Sequence, residues 1–234
     1  MRKRLVAVAL TMILMISICT PVSMASTSKT IKMTTYSDVL KDGNTVYCNT
    51  FLGISKVDLT NGKVSLFVKN PDYDYLGFDG MKIHKGYLYY FRNGTAIAST
   101  LLYRINLKSK KKQVLASAGS KTFYGIDGYA IKKNKLYITG WKDKGNKEIT
   151  VKRVAKLNGK SKKKTSIKVK NYWKTEKKTN AAGYELLYNL EDYDEDEGYG
   201  TVSWYLLTPE GDEYYLGEGE TEYYADYLDD YIDD

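Results

Sequence analysis

Leu59, Leu107, Leu157 and Leu207 recur at intervals of 48, 50 and 50 residues, each in the same local context. Val57-Asp58-Leu59 leads through Thr60-Asn61-Gly62 to Lys63-Val64-Ser65-Leu66-Phe67, and Arg104-Ile105-Asn106-Leu107 leads through residues 108–112 to Gln113-Val114-Leu115. Val154-Ala155-Lys156-Leu157 passes Asn158-Gly159 on the way to Thr165-Ser166-Ile167. Trp204-Tyr205-Leu206-Leu207 passes Pro209-Glu210-Gly211 on the way to Tyr214-Tyr215-Leu216. A period of this length means one supersecondary unit copied several times, each copy burying its apolar face on the next. The unit is a hairpin: Asn and Gly accept the positive φ of tight turns, and apolar alternation on either side supplies a face to bury.

A second hairpin precedes the first in each repeat. Gly77-Phe78-Asp79-Gly80-Met81-Lys82-Ile83-His84-Lys85-Gly86-Tyr87-Leu88-Tyr89 aligns at an offset of 48 with Gly125-Ile126-Asp127-Gly128-Tyr129-Ala130-Ile131-Lys132-Lys133-Asn134-Lys135-Leu136-Tyr137. An earlier copy stands at Asp42-Gly43-Asn44-Thr45-Val46-Tyr47. Two hairpins per repeat make a four-stranded unit, the signature of a propeller blade. Helical periodicity is scarce, so the chain is expected to be all-β: a β-propeller-like array of about four four-stranded blades with a repeat of 48–50 residues. Three repeats are clear and the fourth is degenerate, so a compact closed ring, an open or partial array, and a fragment of a longer chain stay open as alternatives.

At these residues the chain resembles secreted bacterial β-propeller domains of uncharacterised role, similar to the YWTD propeller of low-density-lipoprotein receptors. The resemblance covers residues 36–220 and rests on the Asp-Gly strands ending in Tyr and on the hairpin after them. The YWTD tetrapeptide is absent, and Leu88-Tyr89-Tyr90-Phe91 and Leu136-Tyr137-Ile138-Thr139 occupy its place. The resemblance implies a propeller fold. Propellers of that group usually have six blades, more than this chain supplies.

Residues 1–25 read as a cleavable signal peptide. Arg2, Lys3 and Arg4 precede an apolar run from Leu5 to Ile18, and Ser23-Met24-Ala25 supplies small residues for cleavage. The run is shorter than the roughly 20 residues that span a bilayer, so no stable membrane span is expected after cleavage, and the working protein is expected to be secreted or held at the cell surface. Lipid attachment at Cys19 is disfavoured because Ile18, not a small residue, precedes it. Cleavage leaves Cys48 as the only cysteine, which excludes an intramolecular disulfide. Cys48 reads as a buried strand residue. The expected layout is signal peptide 1–25, propeller-like domain 26–220 and an acidic Tyr-rich tail 221–234.

The formal charge of +8 conceals a division. Residues 26–190 hold 33 Lys/Arg and 11 Asp/Glu; residues 191–234 hold 17 Asp/Glu and no Lys or Arg. Such asymmetry marks either an interaction surface or an internal pairing. Lys108, Lys110, Lys111 and Lys112 stand at the same repeat position as Lys160, Lys162, Lys163 and Lys164, so two lysine-rich hairpin tips are expected on one side. They point to binding of an anionic cell-wall polymer by summed charge. The competing reading is that charged turns keep exposed hairpins soluble. Nucleic acid is not expected as a partner, because no recognition module appears; an extracellular protein is the other partner considered. Asp192-Tyr193-Asp194-Glu195-Asp196-Glu197-Gly198 fails as a calcium loop, since its sixth and twelfth positions are Glu197 and Ser203. Tyr224, Tyr227, Leu228 and Tyr231 have the spacing of one helix face in the tail, either folded back on the basic repeats or on a partner, or disordered.

No local motif for catalysis appears. The only histidine, His84, takes the place of Lys132 in the next repeat and reads as a surface strand residue. One His and one Cys do not make a zinc site. Asp79 and Asp127 read as turn residues, and no cofactor or metal is expected. Tyr47, Tyr89 and Tyr137 are assigned to the core, and Tyr73, Tyr75 and Tyr124 to a ligand-lining position before the Asp-Gly strands. The expected function is non-catalytic binding at the bacterial envelope. The alternatives are a polysaccharide-acting propeller hydrolase or lyase, and a piece of a larger surface protein.

Overall fold

A computed structural model describes residues 29–33, 38–50, 52–70, 77–94, 100–166, 181–194 and 199–220. The signal peptide with Cys19, Tyr73 and Tyr75, residues 195–198 of the acidic loop and the 221–234 tail lie outside the described residues.

All regular structure among the described residues is strand. In chain order these are β1 Lys29–Met33, β2 Val39–Asp42, β3 Thr45–Thr50, β4 Gly53–Asp58, β5 Lys63–Lys69, β6 Phe78–His84, β7 Tyr87–Arg92, β8 Leu101–Asn106, β9 Lys112–Ser117, β10 Gly125–Lys132, β11 Lys135–Lys144, β12 Lys147–Lys156, β13 Lys163–Lys164, β14 Glu185–Asp194, β15 Tyr199–Leu207 and β16 Glu213–Glu220. They form four antiparallel four-stranded sheets: I is β2-β3-β4-β5, II is β6-β7-β8-β9, III is β10-β11-β12-β13, and IV is β1-β14-β15-β16. The repeated all-β array expected from the sequence is the fold observed.

Sheet IV explains the degenerate fourth repeat. Its first strand comes from the other end of the chain: β1 pairs along β14 from Lys29 opposite Leu190 to Met33 opposite Leu186. The fourth repeat therefore needs no Asp-Gly strand of its own, and the sheet formed last in sequence is tied to the one formed first.

Side chains alternate across each strand, and here both faces are buried. In β3, Val46 and Cys48 join Val39, Leu186, Tyr188 and Trp204 between sheets I and IV. Tyr47, one residue out of phase, joins Phe67, Leu88, Tyr90 and Tyr103 between sheets I and II. Tyr89, Phe91 and Leu102 meet Tyr129, Leu136 and Ile138 between sheets II and III. Tyr90 stacks on Tyr103 with ring centroids 5.6 Å apart. Tyr129 crosses between sheets, its hydroxyl donating to the carbonyls of Gly80 and Tyr89.

No apolar cluster among the described residues joins sheets III and IV, and the register shows why. The face of sheet III turned away from sheet II carries Lys135, Lys152, Lys156 and Lys163 beside Tyr137 and Val154. The face of sheet IV turned away from sheet I carries Glu185, Glu191, Glu213, Glu218 and Glu220. The array thus ends in one basic face and one acidic face, whereas the three junctions between its sheets are apolar.

Three sequence expectations change. Asp79 and Asp127 do not sit in turns: each lies within the first strand of its sheet at a register shift, between Asp79 and Lys82 in β6 and between Ile126 and Gly128 in β10. Gly80 has φ 61°, the left-handed conformation that a bulge of this kind takes. Tyr47 and Tyr89 are core residues as expected, but Tyr137 is only partly buried, because it lies on the face of sheet III turned away from sheet II. His84 is partly buried at the end of β6, with Nε2 shielded from solvent.

Candidate binding face

Antiparallel strands reverse direction at every connection, so the first–second and third–fourth turns of each sheet lie at the same end. Hydrogen bonds tie these turns together: Leu59 N–H donates to the Asn44 carbonyl (2.8 Å) and Leu107 N–H to that of Gly86 (3.0 Å). The repeated leucines mark this junction.

All eight lysines singled out in the sequence lie at this end and are exposed. Lys108, Lys110, Lys111 and Lys112 lie on the β8–β9 turn or just beyond it; Lys160, Lys162, Lys163 and Lys164 lie on the β12–β13 turn and on β13 itself. The structure brings the two sets side by side. Gln113 Nε2 donates to the Asn158 carbonyl at 3.1 Å, spanning sheets II and III. Gly159, at φ 74°, rests on β9 so closely that a Cβ there would lie 3.0 Å from the Leu115 oxygen.

Asparagine shapes each turn. Asn106 Oδ1 accepts from the N–H groups of Lys108 (3.0 Å) and Ser109 (2.8 Å), and Asn158 Oδ1 accepts from Lys160 N–H (3.1 Å). These Asx turns hold the backbone where the lysines begin. The sequence carried the signal, an Asn two residues before each lysine run. Lys110 Nζ lies 5.7 Å from the Phe67 ring centroid and Lys112 Nζ 5.0 Å from that of Tyr103, within cation–π range. Among the described residues none of the eight lysines is ion-paired.

Three lysines at this end occupy strained backbone. Lys85, Lys110 and Lys133 have φ of 50°, 56° and 48°, a conformation costing a residue with a Cβ roughly 1–2 kcal/mol. Asn is the better-suited residue there. Lys110→Asn is therefore expected to raise the unfolding free energy by about 0.5–1 kcal/mol in urea denaturation. A loss of stability would mean that the contact with Phe67 outweighs the strain.

Three aspartates of the repeat lie at the opposite end. Asp38 and Asp79 stand at matching positions at the start of the first strands, against Asn49 and Phe91 of the neighbouring strands, and Asp127 is the bulged residue beside Gly128, which faces Thr139. Asp38 Oδ1 accepts from Asn49 Nδ2 at 2.9 Å. Burial pushes the Asp38 carboxyl up to about 6, partly countered by that hydrogen bond. Burial, with Asp38 nearby, also pushes the Cys48 thiol up, so Cys48 is the inert core residue expected. No group of three or more His, Cys, Asp or Glu among the described residues is arranged to hold a metal ion. Because the folded state holds the Asp38 proton more tightly than the unfolded chain, Asp38 lowers stability as pH rises from about 4 to about 6. Asp38→Asn should flatten that dependence and be more stable than the parent at pH 7.5 in denaturant titrations. Equal slopes in parent and variant would contradict the burial of this carboxyl.

No family profile and no curated protein matches the chain. Among solved structures it is similar to a prolyl endopeptidase (10% identity, TM-score 0.40, 79% of this chain and 30% of that one). It is also similar to an oligogalacturonate lyase determined with manganese (11%, 0.41, 80% and 54%). A third similar structure is an isopeptidase (8%, 0.37, 83% and 46%). This chain spans about half of those proteins or less. None of the three is a receptor propeller, so the YWTD likeness rests on sequence residues alone.

The expectation of a non-catalytic protein is corrected here. All three similar structures are of catalysts, and the missing sequence motif does not set catalysis aside, because carboxylates converging from separate strands leave no local motif. At these identities none of the three activities transfers to this chain.

Proposed function

We propose that this chain is an exported protein that holds an anionic polymer of the cell envelope, such as a teichoic acid or an acidic polysaccharide, across the lysine-bearing end of its sheet array. The observation that carries the reading is the adjacency of the two lysine turns, joined by the Gln113–Asn158 hydrogen bond, with no ion-paired lysine in either among the described residues. Clustered positive charges on two adjacent turns raise the local concentration of a polyanion and speed its association. The test is retention of the purified protein on cell walls before and after their anionic polymer is stripped. Equal retention on both would overturn the reading.

In a second reading a polysaccharide is cut, by hydrolysis or elimination, at the opposite end of the array from the lysine turns. It is favoured by Asp38, a largely buried carboxyl poised near neutrality, as a general acid or base needs to be. Release of reducing ends or unsaturated products from an acidic polysaccharide, lost in Asp38→Asn, is the expected result. Product formation unchanged in that variant would remove Asp38 from the chemistry.

A further inference from the structure

Beside the second lysine turn lies a cleft of about 300 Å³ between β9 and the β12–β13 turn. Its lining is of three chemical kinds. Lys162 supplies one ammonium; Ser117, Ser120 and Thr122 supply hydroxyls; Val114, 46% exposed, supplies an apolar flank. The wall is preformed. Gly119 N–H donates to the Tyr124 carbonyl (3.0 Å) and Ser120 N–H to that of Phe123 (2.8 Å), closing a tight loop. The Ser120 hydroxyl donates to the Ser117 carbonyl (2.9 Å), whereas the Ser117 and Thr122 hydroxyls have no partner among the described residues. Gly159 pins the opposite wall to Leu115, and Lys162, three residues on, lines the cleft.

One cation, open hydroxyls and an apolar flank in a space of this size match a single small unit bearing an acid group and several hydroxyls. We propose that this cleft seats one anionic polyol unit of the polymer, its acid group on the Lys162 ammonium, its hydroxyls on Ser117 and Thr122, and its carbon skeleton against Val114. This rests on the polymer-binding reading and adds a specific seat to an otherwise diffuse charged surface. A carboxylated sugar ring and a phosphorylated glycerol unit share this chemistry, and the test separates them.

The experiment titrates the isotope-labelled protein with methyl glucuronide, glycerol 3-phosphate and, as a neutral control, methyl glucoside, following backbone amide resonances. Shifts confined to residues 114–123 and 159–164 are expected with one or both anions and not with the neutral sugar, and whichever anion binds more tightly identifies the unit. Lys162→Gln should weaken that binding at least tenfold, Lys162→Arg should restore most of it, and Lys144→Gln with Lys147→Gln, exposed at the β11–β12 turn of the opposite end, should leave it unchanged. An unchanged amide spectrum elsewhere shows that each variant is folded. Equal shifts with the neutral sugar, no shifts in the cleft, or undiminished binding by Lys162→Gln would each overturn the seat. Retention on intact walls, measured in parallel, tells the two failures apart: a missing seat leaves retention intact, whereas failure of the wider reading abolishes it.

Discussion

Replacing Gly53 with alanine is expected to cost roughly 3–5 kcal/mol of stability, combining backbone strain with overpacking. Gly53 opens β4 with φ 133°, a region essentially reserved for glycine. A Cβ there would overlap the Val68 carbonyl and lie 2.9 Å from the Asn70 nitrogen. Neither neighbour can yield: Asn70 N–H donates to the Leu52 carbonyl (2.9 Å), and Thr50 Oγ1 donates to the Gly53 carbonyl (3.0 Å). Both bonds hold the sharp reversal between β3 and β4 against the end of β5. For a domain near 200 residues the loss corresponds to a fall of about 10 °C or more in melting temperature. Gly43→Ala is the control. Gly43 is also left-handed, at φ 59°, but a Cβ would meet nothing within 4 Å, so only about 1 kcal/mol of conformational cost is expected. Thermal melts followed by circular dichroism read both. If the two variants melt together, the register at the β4–β5 edge is wrong.

Neutralising the eight turn lysines to glutamine is expected to weaken polymer binding by about 60-fold, taking roughly 0.3 kcal/mol per exposed charge pair, with little change in stability. The side chains are exposed and not ion-paired among the described residues. The turn backbones keep their Asn106 and Asn158 hydrogen bonds whatever the side chain. Changing either turn alone should remove about half of the effect in free energy, because the two lie on one continuous face. Equilibrium binding to soluble polymer at fixed ionic strength measures this. Full affinity in the eightfold variant would return the lysines to the solubilising role that charged turns otherwise have.

What could be read from the sequence was what local chemistry specifies. The hairpins were legible because Asn-Gly and Asp-Gly turns and apolar alternation are short-range signals. The shared end of the lysine turns followed from the repeat. The origin of the first strand of sheet IV was not legible. Lys29–Met33 is five residues long and pairs with a strand more than 150 positions away, and nothing local fixes such a partner. The bulges at Asp79 and Asp127 were taken for turns because Asp-Gly serves both geometries. Tyr137 stands at the repeat position of Tyr89 and reads as core, yet its face is the one turned away from sheet II, and which sheets flank a strand is not written in that strand. Asp38 carries no local signal, because its environment depends on Asn49 of the neighbouring strand. The strain at Lys110 shows only in its backbone angle.

The most direct test of the central claim is co-sedimentation of the purified protein with cell walls across a salt series, using walls with and without their anionic polymer. Binding that requires the polymer and fades steadily as salt screens the exposed charges is the expected result. Binding that is indifferent to salt, or equal on stripped walls, would contradict the claim that the lysine-bearing end holds the polymer by charge.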